Sequence, residues 1–203
     1  SFVLIENSPL GTQVGMVTAA DPENGEVTWS ITGGNTGSAF TINNTGTISV
    51  AVPEAIDYEV TPQFTLTIAA TDSGLNTGMD EVVVMLTNAN EPPIHILPVN
   101  PQTSRNSSLD FGNGISISDQ DVGTDTLDVT VLSTRGQLSL SGTNGLTFTI
   151  GDGTNNSNMR FTGTLNNINT ALAGMTYDPE SDYAGEATIQ LTTNDLGHNG
   201  IGD

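Results

Sequence analysis

The chain has 203 residues, with 23 acids against three basic residues, all arginine, and a net charge of −20. That balance excludes nucleic acid and anionic membrane as partners, because both need a basic footprint. With no cysteine there is neither a disulfide framework nor a thiolate metal site, and no apolar run approaches the ~18 residues of a membrane span, which argues against direct membrane insertion.

The length suits two ordinary domains or one large all-β domain. Residues 1–91 carry eleven acids and no basic residue, and residues 92–203 carry twelve acids with Arg105, Arg135 and Arg160. Self-repulsion at this density opposes compaction unless counter-charge arrives, and bound divalent cations are its natural source. No signal peptide is visible, and the chain reads as a fragment that starts and stops mid-phrase.

Turn chemistry cuts the chain into short pieces. Val3-Leu4-Ile5 is a short apolar run, Val14 and Met16 alternate with Gly15 and Val17, and Asp21-Pro22-Glu23-Asn24-Gly25 is an acidic turn. Val27, Trp29 and Ile31 alternate with polar neighbours, with Trp29 expected in the core. Phe40 and Ile42 lead through the turn Asn43-Asn44-Thr45-Gly46 to Ile48 and Val50. After Ile56-Asp57-Tyr58-Glu59, a period of two at Phe64, Leu66, Ile68 and Ala70 predicts a half-buried strand. It ends at Thr71-Asp72-Ser73-Gly74, and Glu81–Leu86 is the last strand of the unit. Seven or so short strands with frequent turns and no helical period indicate a β-sandwich.

Asn88-Ala89-Asn90-Glu91-Pro92-Pro93 then interrupts the pattern. It offers neutral and charged oxygens of the kind that hard cations such as calcium take in sets of six to eight. Two prolines then hold the chain extended. This predicts a domain junction built around metal, dividing the chain into residues 1–91 and 92–203.

The second half starts at Ile94-His95-Ile96. Ile115 and Ile117 alternate, Asp119-Gln120-Asp121-Val122-Gly123 forms an acidic turn, and Leu127, Val129 and Val131 alternate. Gly136-Gln137 is expected to turn toward Leu138 and Leu140, and Leu146, Phe148 and Ile150 form a further strand. Thr164 through Gly174 breaks the rule. Leu165, Ile168 and Leu172 fall at i, i+3 and i+7, with Thr164 placed to cap the start and Gly174 the end, so one short helix is expected. Ala187, Ile189 and Leu191 form the last visible strand, before Asn194-Asp195-Leu196-Gly197.

The ordered set Glu6-Asn7, Asp21-Pro22-Glu23-Asn24-Gly25, Asp57-Tyr58-Glu59, Thr71-Asp72-Ser73-Gly74 and Asn88-Ala89-Asn90-Glu91-Pro92 resembles a cadherin repeat. Asn88 stands where that family prefers Asp, and Pro92 where it prefers Asn, which lowers the charge of the site. Asp119-Gln120-Asp121 and Thr193-Asn194-Asp195-Leu196-Gly197 carry a looser resemblance through residues 94–203. There the helix and Asp182-Tyr183-Ala184-Gly185 look more like cadherin-like repeats of large bacterial surface adhesins. The resemblance implies an all-β chain of two tandem Greek-key β-sandwiches, the second with one short helix, working as an extracellular, cell-surface adhesion module with calcium at the repeat junction.

Carried over by position, Glu6, Asp57, Glu59, Asn88, Asn90, Glu91, Asp119, Asp121 and Asp195 would ligate calcium at the junction. Asp21, Glu23 and Asp72 would face a preceding repeat. Neighbouring repeats of the same chain are the expected partners, with a surface protein or polysaccharide as a further one. No catalytic residue is expected: GxSxG, HExxH and phosphate-cradling loops are absent, and His95 and His198 have no zinc-like spacing. Asp178, Glu180 and Asp182 could in principle supply a glycosidase carboxylate pair, and Asp152 between two glycines reads as a turn residue. A carbohydrate-binding module pair is the alternative reading, with Tyr58, Tyr177 and Tyr183 as its aromatic candidates. An ancillary pair on a secreted hydrolase is a third.

Overall fold

The computed structural model describes residues 1–21 and 25–197, and the chain divides into two compact units, Ser1–Ala89 and Asn90–Asp203. Among the described residues, unit 1 has seven strands: β1 (Phe2–Ile5), β2 (Gln13–Met16), β3 (Thr28–Gly33), β4 (Phe40–Ile42), β5 (Thr47–Val50), β6 (Gln63–Thr71) and β7 (Thr77–Thr87). One sheet runs β1-β7-β6-β3 and the other β2-β5-β4. β1 lies parallel to β7, and β6 antiparallel to both β7 and β3.

The inward residues are those the alternation selects, because successive side chains of a strand point to opposite faces. Phe64, Leu66 and Ile68 of β6 join Ile48, Val50, Val84 and Ile56 in one buried cluster, with Trp29 packed against it. Phe40 meets Phe64 edge-to-face at 5.0 Å between ring centroids. The alternation slips at the end of β6, where Ala69 is buried and Ala70 only half-buried. β7 also starts earlier than Glu81, at Thr77. Its first five residues are exposed and carry no apolar alternation, so pairing with β6 and not burial extends it.

Among the described residues, unit 2 has nine strands: β8 (Ile94–Ile96), β9 (Leu109–Asp110), β10 (Ser116–Ser118), β11 (Thr126–Ser133), β12 (Gly136–Ser139), β13 (Thr147–Ile150), β14 (Asn158–Thr164), β15 (Thr176–Pro179) and β16 (Ile189–Asn194). They form sheets β13-β14-β11-β16, β12-β15-β9 and β10-β8. Phe161, Leu127, Leu138 and Met159 are buried at the centre of its core. The one α-helix among the described residues, α1 (Leu165–Leu172), buries Ile168 and Leu172, and the Thr164 side chain accepts the Asn167 N–H as its cap. Gly174, at φ 80°, donates its N–H to Gly112 O at 2.7 Å as the chain leaves the helix.

Two expectations shift. Gly136-Gln137 opens β12 instead of turning; the reversal sits at Thr134–Arg135, where Arg135 takes a positive φ and the Tyr177 hydroxyl donates to its carbonyl at 2.8 Å. Ala187 precedes the last strand, which starts at Ile189. Asp152 is the turn residue its glycine neighbours suggest: Gly151 and Gly153 have positive φ, and its carboxylate accepts the Thr154 N–H.

Candidate metal site

In unit 1 the acids sort to two ends. β6 has nine residues, a rise of roughly 30 Å, so Asp57 and Glu59 before it and Asp72 after it lie at opposite ends. Because β1 runs parallel to β7, with Ile5 opposite Thr87, Glu6 and Asn88 leave their strands side by side at the Asp57 end.

Glu6 organises that end. It is 3% exposed, and its Oε2 accepts the Tyr58 N–H at 2.6 Å while Oε1 accepts the Ala89 N–H at 2.7 Å. One carboxylate thus ties together three chain segments, using charge-assisted bonds that are shorter and stronger than neutral ones. Asn88 Nδ2 donates to Glu59 Oε1 at 2.9 Å, and Asp57 Oδ1 accepts the Val60 N–H. Asn88 Oδ1 is buried with no hydrogen-bond donor.

At the other end of unit 1, Asp21 Oδ2 accepts the Gly25 N–H at 2.8 Å. A Cβ on Gly25 would meet both that oxygen and Ser73 Oγ, so the Asp21 turn and the Asp72 turn are neighbours. Asp72 is already engaged: Asn76 donates its backbone N–H to Oδ1 and its side-chain amide to Oδ2. These bonds hold the Asp72 carboxyl below its usual range. Asn76 was not singled out in the sequence, although an Asp and an Asn four apart across a Gly-containing turn is a signal for such a closure. Glu23 lies outside the described residues, as does His198.

In unit 2 the strand pairing again collects the predicted residues at one end. β10 pairs with β8 so that Ser118 faces Ile94, and β11 pairs with β16 so that Asp128 faces Asn194. This brings Asn90, Glu91, Asp119, Asp121 and Asp195 together. Asn90 Nδ2 donates to Asp195 Oδ2 at 2.8 Å, and the Glu91 N–H donates to Asp121 Oδ2 at 2.6 Å. Asp119 Oδ1 accepts the N–H groups of Asp121 and Val122, both at 3.0 Å. Asp121 is 6% exposed. Asn90 Oδ1 and Asp119 Oδ2 are buried without a donor. Burial pushes the Asp119 carboxyl up, with Asp195 and Asp121 adding repulsion against its two backbone bonds.

The helix supports this end. Asn169 on α1 accepts the Ile117 N–H and donates to the Ile117 carbonyl, both at 2.8 Å, fixing the strand two residues before Asp119. Sequence reasoning gave α1 no role at the site. His95 Nε2 lies 2.9 Å from Thr193 Oγ1, a structural bond.

All of these donors are hard oxygens, and buried oxygens facing no donor are what a bound cation would satisfy. The set fits calcium chemically, and it lacks the Cys sulfur and His nitrogen ligands on which structural zinc sites are built.

The cadherin-domain family model matches residues 1–87. Residues 1–87 are a cadherin domain. Protocadherin Fat 4 of Mus musculus is 43% identical over 86 residues, covering 40% of this chain and 2% of that protein. Cadherin-related family member 2 of Mus musculus is 34% identical over 125 residues, covering 60% and 9%. The chain therefore spans a small part of the curated relatives it matches. The crystal structure of human protocadherin-24 EC1-2 aligns over 98% of this chain and 84% of that one, at TM-score 0.51 and 20% identity, which shows the fold.

Cadherin domains are extracellular adhesion modules, not enzymes, and typically bind calcium. The tandem β-sandwich fold with one short helix agrees with the sequence reading, and so does the extracellular, cell-surface location. The relatives named are animal proteins, and the bacterial-adhesin accent of residues 94–203 has no counterpart among them.

The carbohydrate-binding alternative finds no support in these relationships. Its aromatics form no platform: Tyr177 is buried, Tyr58 packs on the unit 1 core, and the Tyr183 hydroxyl donates to Glu186 O. The three acids of the glycosidase reading are each engaged by a different partner. Asp178 accepts Ser108 Oγ, Glu180 pairs with Arg135 at 3.8 Å, and Asp182 bonds with Asn106.

Proposed function

We propose that the chain is a calcium-dependent adhesion or extender module whose two repeats, residues 1–91 and 92–203, are stiffened at their junction by calcium. The junction ligands in this reading are Glu6, Asp57, Glu59 and Asn88 from the first repeat. Asn90 and Glu91 come from the linker, and Asp119, Asp121 and Asp195 from the second repeat. Asp21, Glu23 and Asp72 serve a preceding repeat, and Asp72 does so less readily because Asn76 already bonds both its oxygens. Neighbouring repeats of the same chain are the primary partners; a surface protein or polysaccharide partner belongs to the parent protein's wider function.

The observation that carries this reading is the set of donor-less buried oxygens at the two ends flanking the Ala89–Asn90 bond: Asn88 Oδ1 in one unit, Asn90 Oδ1 and Asp119 Oδ2 in the other. Buried polar atoms are rarely left unsatisfied, and a hard cation satisfies several at once. Ligands drawn from both repeats would bind only when the repeats are docked, so metal affinity and rigidity are linked.

Calorimetric titration with calcium tests it. Wild type should bind ions stoichiometrically, Asp121→Ala should lose at least one of them, and Asp178→Ala should match wild type. Equal isotherms for all three would end the reading.

A further inference from the structure

A protease that cuts after basic residues has three bonds to choose from in this chain, those following Arg105, Arg135 and Arg160. Side-chain exposure does not separate them. The Arg135 and Arg160 side chains are 57% and 51% exposed, and Arg105 is exposed as well. The backbone does, because the chain around a cut must leave its own hydrogen bonds to enter a protease cleft.

Arg160 stands inside β14, paired with Thr130 of β11 on one side and Ile150 of β13 on the other, and its guanidinium holds Asp128. Arg135 stands at the reversal before β12. Its carbonyl, the one a protease would attack, accepts the Glu180 N–H and the Tyr177 hydroxyl, both at 2.8 Å. Its side chain pairs with Glu180 and lies over the Tyr183 ring.

Arg105 lies in residues 97–108, between β8 and β9, which form no strand or helix. Every residue from Val99 to Ser108 is exposed, and Arg105 has no ion pair among the described residues. The bonds around it are few and exposed. The Ser107 N–H donates to Ser104 O at 3.1 Å and the Thr103 hydroxyl to Ser107 O at 2.9 Å. Asn106 exchanges two hydrogen bonds with Asp182. A long, irregular, polar loop of this kind is where nicking concentrates and where function is often carried.

We propose that Arg105–Asn106 is a processing site, cut in the folded chain by a trypsin-class serine endoprotease, whose S1 carboxylate takes an arginine side chain. The Arg105 carbonyl carbon passes to the protease serine and then to water. Arg105 ends as a carboxylate and Asn106 as a free amine, with one water consumed. The cut leaves unit 1 and β8 on one polypeptide and β9 to β16 on the other. A covalent joint becomes one held by the three-residue pairing of β8 with β10 and by the side-chain bonds of Asn90, Glu91 and His95 to Asp195, Asp121 and Thr193.

The test treats the native chain with trypsin and follows the products by intact mass. Fragments 1–105 and 106–203 should accumulate first, with cutting on the order of tenfold or more faster than at either other arginine. The chain unfolded in urea should be cut at all three bonds at similar rates, and Arg105→Gln should melt as wild type yet survive the dose that nicks it. Cutting of the folded chain at Arg135–Gly136 or Arg160–Phe161 as fast as at Arg105–Asn106 would overturn the proposal. So would survival of Arg105–Asn106 at doses that cut the unfolded chain, or the same preference in urea, which would make the flanking sequence its cause.

Discussion

Replacing Glu6 by Gln isolates the group on which the junction end of unit 1 depends. Its two carboxylate oxygens accept the Tyr58 and Ala89 N–H groups at 2.6 and 2.7 Å, and the side chain is 3% exposed. Glutamine keeps the volume but turns one oxygen into an NH2 group, so one backbone N–H must face a donor. A lost charge-assisted bond plus a buried unsatisfied N–H costs about 2–3 kcal/mol. For a unit spanning Ser1–Ala89, each kcal/mol moves the melting midpoint by roughly 4–8 °C. Calorimetry in excess chelator should therefore show the unit 1 transition falling by about 10–20 °C, with unit 2 unmoved. A shift under about 3 °C would refute the reasoning, because Glu6 would then not organise the three segments.

Further expectations concern unit 2. Asp119→Asn removes a charge while keeping an acceptor for the Asp121 and Val122 N–H groups. Because burial raises the Asp119 pKa above its ordinary 3.8, the folded chain holds that proton more readily than the unfolded chain. In chelator its ionisation therefore costs stability as pH rises through and beyond that range. Urea unfolding from pH 3 to 7 in chelator should show a smaller loss for the variant than for wild type, whereas in millimolar calcium near pH 7 the variant should be the less stable. Asn169→Ala breaks both bonds to Ile117; unit 2 should lose about 2 kcal/mol by denaturant unfolding, and exchange at 117–122 should speed up. Asn76→Ala removes the side-chain donor to Asp72 Oδ2 and leaves the backbone N–H on Oδ1, and NMR titration should find the Asp72 pKa moved up part of the way toward its ordinary value.

Much of the fold is legible because its strands are half-buried and alternate. Phe64, Leu66 and Ile68, or Leu127, Val129 and Val131, announce their inward face directly. The helix is legible for the complementary reason, a 3.6-residue period with a capping Thr164. The errors fall where alternation carries no information. The exposed start of β7 is held by backbone pairing, and the reversal at Thr134–Arg135 needs no glycine at its positive φ. At the candidate site, acids could be found by their turn positions, but their engagements could not. That Asn76 occupies Asp72, or that Asn169 braces the Asp119 strand, depends on contacts that only folding creates.

Coupling of the two repeats by calcium is read most directly in the distribution of distances between spin labels placed on surface positions of each repeat. Ser73→Cys and Ser141→Cys in this cysteine-free chain provide the sites. With calcium at the junction, a broad distribution in chelator should collapse to one narrow peak in millimolar calcium, and it should stay broad when Asp121 is replaced by Ala. The same width in calcium and in chelator would contradict it, and the acidic clusters would then be a solvated surface of two independently moving sandwiches.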